Sequence, residues 1–281
     1  MRIFNRQKVL LETIHRLNNN GIKSRTANVK SQFLLKEEYF LGDKIKFYNF
    51  FPYNYGPFSQ LCFHDMRQLK NEGLLDEDET KVTNKGLEMM KTMDTQFTAQ
   101  ITDLIKRFPS EKRMVDYVYE KYPQFTVKSK LVDNKQVQKQ NGILTIGYEG
   151  RDIDTFLNIL IENDINLLID VRKNPFSMNF SFVKGTLKKY LESVDIDYLH
   201  IPELGIESAD RKNLKSKQDY EKLFVKYRKN LQNKEVYINK IMELSREKKL
   251  ALLCYEKDPT FCHRGQIANL IRTKNNKVVD L

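Results

Sequence analysis

Apolar residues recur along the chain at two different spacings, and the spacing changes near residue 142. Before this point they return every three or four positions, as over residues 9–17, which is the period of a helix that packs on one face. After it, short apolar runs such as 143–146 and 250–253 alternate with segments of helical period. Strands that alternate with helices are typical of a parallel sheet. The pattern therefore predicts a mainly helical N-terminal region followed by an α/β domain.

The order of the N-terminal elements predicts a winged helix-turn-helix domain over residues 1–95. Helices are expected at about 2–17, 26–39 and 59–71, and a small hairpin is expected after them, near 74–83. In helix-turn-helix proteins the recognition helix enters the DNA major groove. Residues 96–141 are expected to form a helical connector that ends in an extended, lysine-rich linker over 124–141.

The chain carries a formal charge of +11, and the excess is concentrated near its N-terminus. Residues 1–70 hold 12 basic and 5 acidic side chains, which is a net charge of +7. A basic segment of this kind favours a polyanion partner, and the helix-turn-helix pattern favours DNA. A lysine-rich surface without a partner is the alternative explanation, and the many Asn and Lys residues are compatible with it.

Seven polar or basic side chains are predicted to contact nucleic acid. They are Lys23, Arg25 and Lys30 around the second helix and Gln60, His64, Arg67 and Lys70 on the third. The tip of the predicted hairpin, residues 76–79, carries four acidic side chains and would be repelled by phosphate. A wing contact in the minor groove is therefore not expected.

The stretch Tyr-Asn-Tyr-Gly-Pro-Phe-Ser, followed by Leu-Lys-Asn-Glu-Gly-Leu-Leu and Val-Thr-Asn-Lys-Gly, resembles the winged-helix module of Panacea-like and related bacterial regulatory proteins. The resemblance implies a DNA-binding role. Winged helices are also used for protein contacts, and here the aromatic stretch 47–58 would supply the interface.

The composition of the chain indicates the cellular compartment. No apolar run approaches the roughly 20 residues that cross a bilayer, and the N-terminus is too densely charged for a signal peptide. Three cysteines, an odd and small number, argue against a disulfide framework. We therefore expect a cytoplasmic protein with no membrane partner.

The densest cluster of reactive residues follows the apolar run that ends near residue 253. Two of the three cysteines and one of the four histidines, namely Cys254, Cys262 and His263, lie close together between that run and a segment of helical period. Glu256 and Arg264 accompany them. A strand that leads through such a loop into a helix places chemistry at the carboxyl edge of a sheet.

Four motifs, in order, resemble the DUF488 family. They are Thr-Ile-Gly-Tyr-Glu-Gly, Ile-Asp-Val-Arg-Lys-Asn-Pro-Phe-Ser, Tyr-Leu-His-Ile-Pro-Glu-Leu-Gly and Cys-Tyr-Glu-Lys-Asp-Pro-Thr-Phe-Cys-His-Arg. The resemblance covers residues 142–281 and implies a Rossmann-like α/β domain. It also implies a site on the motif positions Gly147, Tyr148, Asp170, Arg172, Pro175, Ser177, Cys254, Glu256, Cys262, His263 and Arg264. Because the family has no settled activity, the resemblance implies no reaction.

Because parallel strands end at one edge, these loops are expected to line one crevice. Asp170 or Glu256 would serve as general base, His263 as acid or base, and Cys262 as nucleophile. The substrate-binding set would be Gly147, Tyr148, Glu149, Arg172, Ser177, Cys254 and Arg264. Arginine forks suit phosphate or carboxylate groups, so an anionic small molecule or nucleotide is the expected ligand.

Each role has a structural alternative. In the structural alternative, Asp170 and Arg172 form an ion pair that shapes their loop, and Cys254 is a small core residue. Cys262 is the better nucleophile candidate, because the neighbouring cations and the helix start are able to lower its pKa. Cys254, Cys262 and His263 offer three zinc ligands, but no fourth has ligand spacing, so neither a metal nor a cofactor is predicted.

Three functions are compatible with these features. The favoured hypothesis is a nucleic-acid-associated enzyme that acts by hydrolysis or group transfer on a nucleotide, a modified base or a similar phosphate-bearing substrate. The second is a DNA-binding regulator that senses such a ligand without turnover. The third is cysteine-based sulfur transfer or redox chemistry through Cys262.

Overall fold

The computed structural model describes residues 3–132, 141–211, 214 and 216–281, and the chain divides into two compact units, 1–135 and 136–281. The first unit is mostly helical, and the second contains a five-stranded parallel sheet with interleaved helices. This architecture confirms the predicted α/β fold class. Residues 133–140 of the predicted linker lie outside the described residues.

The N-terminal unit contains seven α-helices and a two-stranded antiparallel sheet within its described residues. The helices are α1 (Asn5–Asn19), α2 (Arg25–Glu37), α3 (Leu41–Lys44), α4 (Gln60–Asn71), α5 (Asn84–Met90), α6 (Thr95–Arg107) and α7 (Glu111–Lys121), and the strands are β1 (Phe51–Tyr53) and β2 (Gly56–Phe58). Ser24 and Ser59 cap α2 and α4, because each hydroxyl accepts a hydrogen bond from a backbone N–H of the first turn.

The hairpin of β1 and β2 is an element that the sequence analysis did not predict. Its strands have three residues each, and Pro52 lies opposite Pro57, so neither strand shows the usual signal. Gly56 adopts a φ of 86°, which explains why a glycine begins β2. The hairpin predicted near 74–83 is reduced to one antiparallel bridge between Leu75 and Val82.

A buried charge holds α4 against α1. Asp65 on α4 is completely buried and accepts hydrogen bonds from Arg6 Nε at 2.7 Å, Tyr48 Oη at 3.0 Å and Gln7 Nε2 at 3.2 Å. A buried carboxylate is tolerated only when its oxygens are paired in this way. The position of α4, the helix predicted to bind nucleic acid, therefore depends on this network.

Replacing Asp65 by Ala should destabilise the N-terminal unit by about 3–5 kcal/mol, because the Arg6 guanidinium would stay buried without its partner. Asp116 provides a matched control, since it pairs with Lys112 at 3.0 Å on the surface. Denaturant unfolding of the two Asp→Ala variants would measure the difference. Equal and small losses in both would contradict the structural role given to Asp65.

The C-terminal unit is built on five parallel strands in the order β5-β4-β6-β3-β7. The strands are β3 (Gly142–Gly147), β4 (Leu167–Asp170), β5 (Asp197–His200), β6 (Lys249–Cys254) and β7 (Val278–Asp280). The helices are α8 (Ile153–Glu162), α9 (Lys184–Glu192), α10 (Lys217–Gln232), α11 (Glu235–Glu247) and α12 (His263–Thr273). These elements match the predicted alternation of strands and helices closely.

The direction of chain travel across the sheet reverses between β4 and β6. From β4 the chain moves outward to β5, whereas from β6 it moves through α12 in the opposite direction to β7. Because crossovers are right-handed, connections that run in opposite directions across the sheet place their helices on opposite faces. Residues of α10, α11 and α12 accordingly share one core cluster. The gap beyond the carboxyl ends of β4 and β6 is therefore a topological switch point, where α/β proteins bind ligands.

No helix in the described part of the chain combines the length and the apolar character needed to span a membrane.

Candidate functional site

Three loops meet at the carboxyl edge of the parallel sheet. The loop after β3 contacts the loop after β6, because Glu149 accepts a hydrogen bond from the Lys257 backbone N–H at 2.9 Å. A Cβ on Gly147 would lie 1.9 Å from the carbonyl oxygen of Glu256, so this close approach requires glycine. The loop after β4 joins them through a hydrogen bond of 2.9 Å between His263 Nε2 and the Val171 carbonyl oxygen.

Asp170 and Arg172 form a buried, bidentate ion pair. Arg172 Nε and Nη2 donate to the two carboxylate oxygens of Asp170 at 2.9 and 2.6 Å. The Arg172 backbone N–H and the Tyr198 hydroxyl add one further hydrogen bond to each oxygen. The Asp170 side chain has no exposed surface, so it lacks the access that a general base requires.

The rest of the Arg172 guanidinium is also occupied. Its Nη1 donates to the Tyr148 hydroxyl and to the Phe182 carbonyl oxygen, both at 3.0 Å. The Tyr148 ring stacks on Phe182 with ring centroids 4.3 Å apart. Burial opposes the charge on Arg172, but the hydrogen bonds to Asp170 outweigh it and raise the pKa of the guanidinium. The geometry of Asp170 and Arg172 is therefore that of a structural ion pair that shapes the loop after β4.

Arg264 is completely buried, and it holds the loop after β6 rather than facing solvent. It donates to the carbonyl oxygens of Glu256 and Lys257, and its Nε donates to Thr145 Oγ1 at 3.3 Å. An arginine fork that binds backbone carbonyls fixes a loop in one conformation. Its contacts are thus different from those expected of a ligand anchor.

The remaining motif residues form one compact cluster. Cys254 Sγ lies 3.3 Å from Glu256 Oε2 and 3.5 Å from His263 Nδ1. Donor atoms of Cys254, Cys262 and His263 all lie within 4.8 Å of one another. Both cysteines and the histidine are buried, whereas Glu256 is half-buried.

The protonation of this cluster differs from the expectation for Cys262. Burial raises the pKa of the Cys262 thiol well above its ordinary value, and the neighbouring His263 offsets this only in part. This direction is opposite to the lowering expected for Cys262, because burial has a larger effect on its pKa than His263. Burial also opposes ionisation of Glu256, but hydrogen bonds from Cys262 and Cys254 lower the pKa of this carboxyl overall.

Sequence reasoning missed several residues of the site. One is Tyr198, whose hydroxyl donates to Asp170. It lies two residues before His200 on β5, and side chains two residues apart on a strand point to the same face, which was the available signal. The loop after β4 exposes Phe176, Met178 and Phe180, the last two by 96% and 74%. Predicted binding residue Ser177 lies in this loop, where its hydroxyl accepts a hydrogen bond from the Asn179 N–H at 3.1 Å.

The N-terminal unit contains a separate cavity of about 380 Å³. It lies between α2, the β1–β2 hairpin and α4, and its lining includes Arg25, Lys30, Gln60, Arg67 and the aromatic residues Tyr53, Tyr55, Phe58 and Phe63. Four of the seven predicted nucleic-acid contacts therefore share one cavity with the aromatic stretch. The other three, Lys23, His64 and Lys70, are exposed or half-buried.

Lys30 does not have the exposure that a backbone phosphate contact requires. It is 2% exposed, and its ammonium donates to the Pro57 carbonyl oxygen at 3.0 Å. Burial lowers its pKa to about 7, and Glu111 counteracts this effect in part. We therefore leave Lys30 out of the set that contacts phosphate from the surface.

The motif residues and their geometry agree with the comparison to known families. Residues 152–271 match the family model of DUF488, a domain of unknown function. No curated protein and no solved structure matches the chain significantly. The DUF488 domain includes the ion pair of Asp170 and Arg172 and the whole cysteine and histidine cluster, whereas Gly147 and Tyr148 precede the matched residues.

In the DUF488 domain, burial should make both cysteine thiols unreactive while the protein is folded. We expect an aromatic disulfide reagent at neutral pH to label Cys254 and Cys262 slowly, because neither is accessible and the pKa of Cys262 is raised. Denaturant should expose all three cysteines of the chain to rapid labelling. A thiol of the folded protein that reacts as fast as free cysteine would instead support a nucleophilic role.

Proposed function

We propose that the protein is a nucleic-acid-associated enzyme. In this proposal the N-terminal unit is a winged-helix module that binds DNA, and the DUF488 domain acts by hydrolysis or group transfer on a nucleotide or a modified base. The observation that carries it is the cavity in which Arg25 and Arg67 lie beside four aromatic side chains. Cations combined with aromatic faces bind the phosphates and bases of nucleic acids.

The exposed cations of the N-terminal unit support DNA binding. Arg67 on α4 is exposed, and its guanidinium lies 5.9 Å from the Phe63 ring centroid. Within the described residues it has no carboxylate partner, so its charge is available for phosphate. Lys70 and Arg25 instead pair with the acidic tip, at 2.8 Å from Glu77 and 3.2 Å from Glu79. Phosphate would compete with the exposed Glu77 carboxylate for Lys70.

Features at the sheet edge support a nucleotide or base as the substrate. Glu256 is a half-buried carboxylate whose lowered pKa keeps it ionised at neutral pH, so it is able to accept a proton. Exposed Tyr255 and Phe180 offer ring faces for stacking on a base. Within the described residues, Arg151 Nη1 is buried and has no hydrogen-bond partner, so Arg151 is a candidate phosphate anchor.

One observation favours a ligand-sensing regulator as the second candidate. The side chains of Asp170, Arg172 and Arg264 are committed to internal hydrogen bonds, which leaves fewer groups for catalysis than the sequence suggests. A rigid, well-supported sheet edge would also suit binding without turnover.

Arg67→Ala should weaken binding to duplex DNA and lower the slope of log affinity against log salt by about one unit, because one phosphate contact is lost. Arg113→Ala is a matched control, since Arg113 is an exposed arginine on α7 that does not line the cavity. Affinity for one duplex at several salt concentrations measures both variants. If wild-type protein bound neither DNA nor RNA at low salt, the proposal would be lost.

Glu77→Lys should strengthen non-specific binding of the same duplex. The substitution removes a negative charge from the acidic tip and releases the Lys70 ammonium, which now contacts the Glu77 carboxylate. The gain should disappear at high salt, because exposed charges are screened. Unchanged affinity in both Glu77→Lys and Arg67→Ala would indicate that α4 faces a protein partner, with the aromatic stretch as its contact surface.

Glu256→Gln separates the enzyme from the sensor. In an enzyme the substitution should abolish turnover while the substrate still binds, because an amide cannot accept the proton. Pools of nucleotides and modified nucleosides incubated with wild-type and variant protein, followed by mass spectrometry, measure turnover, and ultrafiltration measures retention. A ligand that both proteins retain and neither converts would favour the sensor.

A further inference from the structure

We propose that the DUF488 domain binds one zinc ion through Cys254, Cys262 and His263, with Glu256 beside the fourth coordination position. The proposal reverses the expectation of no metal, which rested on the lack of a fourth ligand in the sequence. Catalytic zinc sites hold the metal with three protein ligands and leave the fourth position to water or substrate. Three protein ligands are therefore sufficient.

The distances in the cluster fit a tetrahedral zinc site. Zinc–sulfur and zinc–nitrogen bonds of about 2.3 and 2.0 Å place a sulfur and a nitrogen ligand about 3.5 Å apart at the tetrahedral angle. Cys254 Sγ and His263 Nδ1 are 3.5 Å apart. The Cys262 donor atom lies within 4.8 Å of both, so the three donor atoms are close enough to share one ion.

The orientation of His263 is fixed by a contact outside the cluster. A carbonyl oxygen only accepts hydrogen bonds, so His263 Nε2 must carry the proton that it shares with Val171 at 2.9 Å. In the neutral form of the ring, Nδ1 would then present its lone pair toward the sulfur atom of Cys254, which is 3.5 Å away. Histidine ligands of metals are commonly held by such a hydrogen bond from the other ring nitrogen.

The backbone on both sides makes the ligand positions rigid. Cys254 is the last residue of β6, which is paired with β3 and β4, and Cys262 immediately precedes α12. Gly265 lies so close to the Pro259 carbonyl oxygen that a Cβ there would approach it to 2.1 Å. The loop between the cysteines is thus packed against the first turn of α12, which keeps the donor atoms together.

The donor chemistry selects zinc among common cations. Two thiolates with an imidazole favour zinc, whereas magnesium and calcium prefer oxygen ligands. Glu256 Oε2 is 3.3 Å from Cys254 Sγ. Glu256 is half-buried, whereas the three ligands are buried, so its carboxylate lies at the more accessible side of the cluster. There it would take a proton from zinc-bound water: one O–H bond breaks, the proton passes to the carboxylate, and hydroxide stays on the metal. This step deepens the hydrolytic form of the proposed function.

The metal content of the full chain tests the site. Protein purified without chelators, or reconstituted with zinc and then dialysed, should hold one zinc per chain. Elemental mass spectrometry measures this metal content. Cys254→Ser, Cys262→Ser and His263→Ala should each lose zinc under the same dialysis. Cys62→Ser is the matched control, because Cys62 is also buried but lies on α4 in the other unit, and it should keep one zinc per chain.

Cobalt substitution of the wild-type protein provides a readout that does not depend on variants that fail to fold. Cobalt(II) bound by two thiolates and an imidazole should give thiolate-to-cobalt charge transfer and the intense visible bands of tetrahedral coordination. Zinc should abolish these bands by displacement. Absence of stoichiometric zinc together with absence of the cobalt bands would overturn the proposal, as would equal zinc in the ligand variants and in Cys62→Ser.

Glu256→Gln distinguishes the metal site from the proposed reaction. Because Glu256 is not one of the three ligands, the variant should keep one zinc per chain, and its loss of zinc would overturn the assignment of the fourth position. Metal content is measured without a substrate. Wild-type protein that holds zinc but converts no nucleotide or base would therefore remove the proposed reaction and leave the metal site intact.

Discussion

The pairing of β4 with β6 is the constraint on which the candidate site depends. Asp170 lies opposite Leu253 in this parallel pair, so the chain leaves both strands at the same level. The ladder continues for one step beyond β4, where the Val171 N–H donates to the Leu253 carbonyl oxygen at 3.2 Å. Val171 then accepts the hydrogen bond that orients His263. A register shift of one residue would turn every side chain of β4 to the other face and remove these contacts.

The charged residues near this edge stabilise loops, and this follows from their burial. Arg172 and Arg264 are the two motif arginines, and the side chains of both are almost completely buried. A buried guanidinium must have its N–H groups satisfied by protein, so Asp170, backbone carbonyls and hydroxyl groups take the places that a ligand would occupy. The groups left for chemistry are the thiols, His263 and Glu256. This smaller set is better suited to holding a metal than to clamping a phosphate.

The sequence predicted the architecture well, because strands and helices of the α/β unit have distinct apolar periods. The meeting of the loops around Gly147, Asp170 and Cys254 followed from the rule that parallel strands end at one edge. The direction in which the Cys262 pKa is shifted could not be predicted from the sequence. Neighbouring residues in the sequence reveal nearby cations but not burial, and burial has the larger effect here. The partners of Arg172 were also hidden, because Phe182 and Tyr148 lie 10 and 24 residues away along the chain and no local pattern pairs them with Arg172.

Lys30 shows how one such error arises and what signal was available. In a helix, positions three and four residues apart share a face, so Lys30 shares its face with Ala27 and Leu34, both of which are buried. Charge alone suggested a phosphate contact, whereas the helical position indicated the core. Where the two signals disagree, the apolar neighbours are the better guide to exposure.

The two ion pairs of the acidic tip differ in how readily a polyanion would displace them. Glu77 is almost fully exposed, with 92% of its side chain accessible, so its separation from Lys70 leaves both charges in water and costs little. Glu79 is only 4% exposed, and loss of Arg25 would leave a buried carboxylate without its partner. Arg25 is therefore held in place as part of the fold, whereas Lys70 is free to exchange its partner. Of the cations beside the tip, Lys70 is the one whose contacts can respond to a phosphate backbone.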